Sequence, residues 1–182
     1  MTVRGAIAWL VTILVGAHLL APDSYSLVAN TLSELGAQKY EYAWLARAGF
    51  IGFGVLLAWH FSGDLVHVQR FWAQAMLLLL YGSSVALTGM FSAGPFETGV
   101  TFSEPEAFLH SIFATMAGVC LSGAILISAW RAGTPRDRWK HIGVLAFVTV
   151  ASALFGAFPE YQGVSQRLLW IGGLGWLGWA VH

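Results

Sequence analysis

From Ala107 to Trp130 the chain reads AFLHSIFATMAGVCLSGAILISAW, without one Asp, Glu, Lys or Arg. A helix over this stretch is long enough to cross a hydrocarbon core about 30 Å thick, which takes roughly 20 apolar residues. The run is too long for a strand, and its His, Ser and Thr side chains are those a buried helix tolerates. The rest of the sequence repeats this pattern. Apolar segments run from Gly5 to Ala21, Tyr42 to Phe61, Phe71 to Phe91, Ile142 to Phe158, and Gln166 to the C-terminus. The reading is therefore all-α: a polytopic transmembrane bundle of about six helices, forming one domain over residues 1–182. The last segment is short, so it tilts little, draws residues from Gly163 onward, or continues in a tail beyond this sequence.

Composition agrees. Of the 182 residues, 57% are hydrophobic and 10% charged, against roughly 25% charged in soluble domains. A water-soluble surface cannot be covered with so few charges, and the apolar stretches must face lipid or one another. The net charge of zero gives nucleic acid no purchase as a partner.

The charges divide between alternate loops. With the N-terminus cytoplasmic, that side holds Arg4, Arg70, Arg131, Arg136, Arg138 and Lys140, and the other side holds Lys39, Arg47 and Arg167. The positive-inside rule then gives an N-in, C-in topology, and the membrane expected is the plasma membrane of a microbe. Acids show the mirror pattern, with Asp23, Glu34, Glu41, Glu97, Glu104, Glu106 and Glu160 outside and Asp64 and Asp137 inside. The first segment is expected to be a retained helix, because Leu19 stands where signal cleavage wants a small residue. Cys120 has no second cysteine to pair with and reads as a packing residue. Trp9, Trp44, Trp72, Trp130, Trp139 and Trp170 mostly fall near segment ends, as an aromatic belt would.

The inner loops, Ser62 to Arg70 and Arg131 to Lys140, suit helical hairpins, whereas the outer ones, Pro22 to Glu41 and Ser92 to Glu106, have room for a site. A faint internal echo links Arg47 with Ile51-Gly52 to Arg167 with Ile171-Gly172, and carries little weight. Small residues line single helix faces: His110, Ala114, Gly118 and Ser122 in the fourth segment, and Gly172, Gly175 and Gly178 in the sixth. Packing is the role expected of both, with the first face turned into the bundle.

Polar residues gather at the outer boundary: His18, Glu34, Arg47, His110, Gln166 and Arg167. Ionisable groups at that depth are costly unless they pair or face a wet cavity, so the candidate ligand-binding set is Glu34, Arg47, His110, Gln166 and Arg167. Each has a plainer role. Thr31-Leu32-Ser33-Glu34 reads as a capping box with Gly36 as the stop. Arg47 can snorkel to headgroups, and His110 can hydrogen-bond a neighbouring helix. Asp23, Glu97, Glu104 and Glu106 read as solvated loop acids.

Ser33-Glu34-Leu35-Gly36, Trp44 to Gly54, Leu109-His110 and Gly163-Val164-Ser165-Gln166-Arg167 together resemble the bacterial and archaeal membrane family catalogued as domain of unknown function number 998. The resemblance implies a multi-pass helical protein and directs attention to Ser33, Glu34, His110, Gln166 and Arg167.

Four functions fit these residues. The first is an outward pocket that binds or transports a small anionic molecule or lipid headgroup, gripped by Arg47 and Arg167 and oriented by Glu34 and His110. The second is a metal-dependent hydrolase using His18, His110 and Glu34 or Glu106, although the spacing matches no zinc signature. The third is a cytochrome with haems between His18 and His110 and between His60 and His141. The fourth is a structural or assembly role. No cofactor follows from the sequence, and the lipid bilayer is the partner it does imply.

Overall fold

The computed structural model describes residues 2–67 and 72–181. Arg70, Phe71 and the terminal His182 lie outside the described residues, as does the side chain of Asp64. The chain is helical throughout its ordered elements: α1 Val3–Leu19, α2 Ala43–His67, α3 Trp72–Met90, α4 Glu104–Arg131, α5 Pro135–Ala157 and α6 Gln162–Ala180. One-turn 3₁₀ helices add Ser33–Gly36 and Pro159–Tyr161. Among the described residues there is no strand. α2, α3, α4 and α5 are long and apolar enough to cross a membrane; α1 is apolar but shorter. α6 carries Gln162, Gln166 and Arg167 in its opening turns.

Several helix ends lie beyond the boundaries that hydropathy sets. α5 begins at Pro135 because Thr134 caps it, its hydroxyl accepting the Asp137 N–H at 3.1 Å, and because proline suits a first helical position. The loop expected over Arg131 to Lys140 thus shrinks to a turn. α4 starts at Glu104, with Pro105 and two carboxylates in its first turn, where the helix dipole favours negative charge. α2 runs on through Ser62 to His67, where a loop was expected. α6 draws its first turn from Gln162 and Gly163, one of the ways the short last segment could reach full length.

Consecutive helices pack side by side, and α1 also meets α6. That closing seam is pinned at one end by Arg4 Nε donating to the Gly178 carbonyl at 3.4 Å, and at the other by Arg167 and His18. Trp170 of α6 packs on Phe50 and Phe53 of α2, ring centroids 5.6 and 6.0 Å apart, and Leu10, Leu57, Leu78, Ile125, Trp176 and Leu177 complete the core. Val119, Leu126 and Val150 point outward, as lipid-facing residues do.

The tightest helix contact is between α2 and α3. A Cβ on Gly54 would collide with the backbone of Gly82 and Ala86, and one on Gly82 would stand 2.8 Å from Ala58 N and Gly54 O. Close backbone approach of this kind replaces the hydrophobic drive that lipid removes. The stripe expected to play this part in α4 does not. His110 is buried, but Ala114 and Gly118 are exposed, and a Cβ on Gly118 would touch nothing within 4 Å. A step of four residues advances about 40° beyond a full turn, so the stripe winds off the packed face. The buried row is instead His110, Ala117, Cys120, Leu121 and Ala124. In α6, Gly172 packs on Phe147 and Val148 and Gly178 on Ile7, while Gly175 faces open space.

Candidate functional site

The C-terminal ends of α1 and α3 and the N-terminal ends of α2, α4 and α6 share one end of the bundle, where they meet the segments 20–42 and 91–103. The five candidate residues all lie there, in two adjoining networks.

The first network ties residues 25–34 to the head of α6. The opening N–H groups of a helix lack intrahelical acceptors. Here Gly163 N donates to Ala29 O and Val164 N to Val28 O, both at 3.1 Å. This approach requires glycine, since a Cβ on residue 163 would press into the carbonyls of Leu27, Val28 and Asn30. One turn on, Gln166 Oε1 accepts from Leu32 N at 2.6 Å and Ser33 N at 3.4 Å, while its Nε2 donates to Ser33 Oγ at 3.2 Å. Glu34 closes the capping box read from the sequence: its carboxylate accepts from Thr31 N at 2.6 Å and Asn30 Nδ2 at 3.3 Å, and Thr31 Oγ1 accepts from Glu34 N at 3.2 Å.

Arg167 stands at the centre of this network. Its Nη1 donates to the carbonyls of Leu27, Asn30 and Gly163 at 2.8–2.9 Å. Its Nη2 reaches His18 Nε2 at 3.0 Å and the Tyr25 hydroxyl at 2.8 Å. The Leu14 carbonyl takes the His18 Nδ1–H at 2.7 Å, which leaves Nε2 to accept from the guanidinium. Burial raises the pKa of Tyr25 from its ordinary value, against the opposing pull of Arg167. The phenol therefore stays protonated at neutral pH and donates to the Thr31 carbonyl at 2.8 Å. Among the described residues no carboxylate forms an ion pair with Arg167; oriented carbonyls solvate its charge instead.

The second network closes the C-terminus of α3, whose last carbonyls have no intrahelical donors. Arg47 of α2 donates from Nε to Gly89 O at 3.0 Å and from Nη2 to Met90 O at 2.8 Å. His110 of α4 places Nδ1 2.9 Å from Thr88 O and 2.8 Å from Phe91 O, so that nitrogen carries the proton. The Arg47 guanidinium at the C-terminus of α3 also complements the helix dipole. Glu106 accepts from Ser92 N at 2.8 Å, tying the 91–103 segment to the head of α4, and Glu97 from Ser24 Oγ at 3.0 Å, tying the two long loops together, so neither acid is simply solvated. Gln38 exchanges hydrogen bonds with Ser103 at 2.8 and 3.0 Å, joining the two long loops. Gly36, lying against the aliphatic stem of Arg47, joins the networks.

Glu34, Gln166 and Arg167 thus share one network, with Arg47 and His110 in the other. Tyr25, Asn30 and Gln38 were not singled out from the sequence, because no motif or spacing marks a loop residue whose partners are backbone atoms. The proposed metal ligands His18 and His110 fall in different networks, and among the described residues no three His, Cys, Asp or Glu side chains are placed to share a metal ion. Of the histidines considered for haem, His141 accepts the Trp176 indole N–H at 3.0 Å, and His60 Nε2 is buried without a partner among the described residues.

A family model described as "Protein of unknown function (DUF998)" matches residues 3–182. No curated protein and no solved structure gives a match.

Proposed function

We propose, for a chain that belongs to this DUF998 family of membrane-spanning helical proteins, that the polar residues at the loop-rich end form a structural clasp. The clasp fixes residues 25–34 across the α1–α6 seam and seals the end of α3. The supporting observation is the use of Arg167: both terminal nitrogens are spent on protein acceptors, four of them outside its own helix. An anion receptor needs free donors, and these are occupied. The clasped end faces the exterior of the plasma membrane, with both termini cytoplasmic, as the distribution of basic residues favours. On this reading the protein serves a structural or assembly role, presenting its two long loops as one fixed surface.

A second reading keeps the pocket for an anionic molecule or lipid headgroup. It is favoured by the lack of an ion-paired carboxylate on Arg167 among the described residues, since an anion displacing the Leu27 and Asn30 carbonyls would neutralise that charge. Thermal unfolding of detergent-solubilised Arg167→Ala separates the two. The clasp requires a lower midpoint with no ligand added. The pocket requires in addition that phosphate or anionic lipid raise the wild-type midpoint and fail to raise that of the variant, an effect the clasp alone does not give.

A further inference from the structure

At the end of the bundle opposite the clasp, α4 and α5 turn sharply at 132–134 and leave a groove of about 360 Å³ between them. Leu126, Ala129 and Trp130 of α4 and Ile142 of α5 form its apolar walls, and Arg138 stands among them. The surrounding turn gathers Arg136, Arg138 and Lys140 against a single acid, Asp137. That acid is already engaged, 2.8 Å from Lys140. The Arg138 side chain is exposed, and its guanidinium makes no hydrogen bond or ion pair among the described residues. Trp130 in the groove wall is 83% exposed, and Trp139, next to Arg138 in sequence, is 68% exposed, as aromatic rings at a membrane interface are.

We propose that this groove seats an anionic phospholipid, with its phosphate on Arg138 and one acyl chain along Leu126, Ala129 and Ile142. A guanidinium can hold two phosphate oxygens at once, and basic grooves between membrane helices are suited to anionic headgroups. The apolar walls distinguish this occupant from free phosphate, which has nothing to place on them. A zwitterionic phospholipid would fit the walls but leave the surplus positive charge of the turn unanswered.

The test uses the full-length protein in mixed micelles and reads quenching of tryptophan fluorescence by lipids brominated on the acyl chain. Brominated phosphatidylglycerol should quench the Trp130 contribution at about a fivefold lower mole fraction than brominated phosphatidylcholine, the advantage of one cation beside the headgroup. Trp130→Phe should remove that difference by removing the reporter. Arg138→Gln should close the gap between the two lipids, Arg138→Lys should keep part of it, and Lys39→Gln at the clasped end should leave it intact. Equal quenching by both lipids in the wild type, or a gap that survives Arg138→Gln in protein with an unchanged unfolding midpoint, would overturn the proposal. So would full protection by inorganic phosphate at low millimolar concentration, which would make this a site for the free anion.

Discussion

Replacing Arg167 by alanine removes hydrogen bonds to Leu27 O, Asn30 O, His18 Nε2 and the Tyr25 hydroxyl, all 2.8–3.0 Å long. The bond to Gly163 O stays within α6 and holds no second element. Arg167 is only partly buried, so each of the four tertiary bonds is assigned about 1 kcal/mol, below the range for fully desolvated charged bonds. The sum is about 4 kcal/mol, and for a chain of this size each kcal/mol moves the midpoint by about 2–4 °C. Arg167→Ala should therefore unfold about 8–16 °C below the wild type in the same detergent, followed by tryptophan fluorescence or by retention of the monodisperse peak after heating. Arg167→Lys should fall between the two, because one ammonium cannot span acceptors on both sides of the fork. Proteolysis should first appear between residues 25 and 34, the segment released. A midpoint for Arg167→Ala within about 2 °C of the wild type would refute the reasoning, since four tertiary bonds cannot be lost at so small a cost.

His110→Phe should lower the midpoint by about 4–8 °C, corresponding to about 2 kcal/mol for the Thr88 and Phe91 carbonyls left without a donor; His110→Asn, which keeps an N–H of similar reach, should recover part of the loss. Gly54→Leu should prevent a monodisperse bundle from forming, because the added side chain meets the α3 backbone, whereas Gly118→Ala should leave the midpoint within about 2 °C of the wild type; size-exclusion profiles and melts check both. The raised pKa of Tyr25 gives a contribution that is complete below the unfolded-chain value of about 10 and is lost as pH rises through the folded value. Tyr25→Phe should accordingly melt lower than the wild type at pH 8, and the gap should narrow at alkaline pH.

The helices were readable because lipid imposes one demand on every segment that crosses it: an unbroken apolar run whose backbone bonds are satisfied internally. Their ends were less so, because a cap such as Thr134 lies among charged residues that hydropathy assigns to a loop. At the clasped end, polarity at the outer boundary marked Glu34, Arg47, His110, Gln166 and Arg167, and the family resemblance directed attention to all of these but Arg47. The capping box at Thr31 to Glu34 was legible too, because both of its partners are side chains at a fixed spacing. What Arg47, His110 and Arg167 hold was not legible, since their acceptors are largely backbone carbonyls, which any residue type supplies. Glu106 was misread for the same reason, its donor being the Ser92 backbone N–H. The small-residue stripe of α4 misled because spacing fixes a helix face but does not say what stands opposite it.

The arrangement of loops about the bilayer is tested most directly by cysteine labelling in a Cys120→Ala background. Asp23→Cys, Thr101→Cys and Glu160→Cys, all exposed at the clasped end, should react with a membrane-impermeant maleimide on intact cells, and Gly133→Cys should react only after permeabilisation. Labelling of Asp23→Cys and Glu160→Cys from opposite compartments would contradict a clasp that binds those two loops together on one side of the membrane.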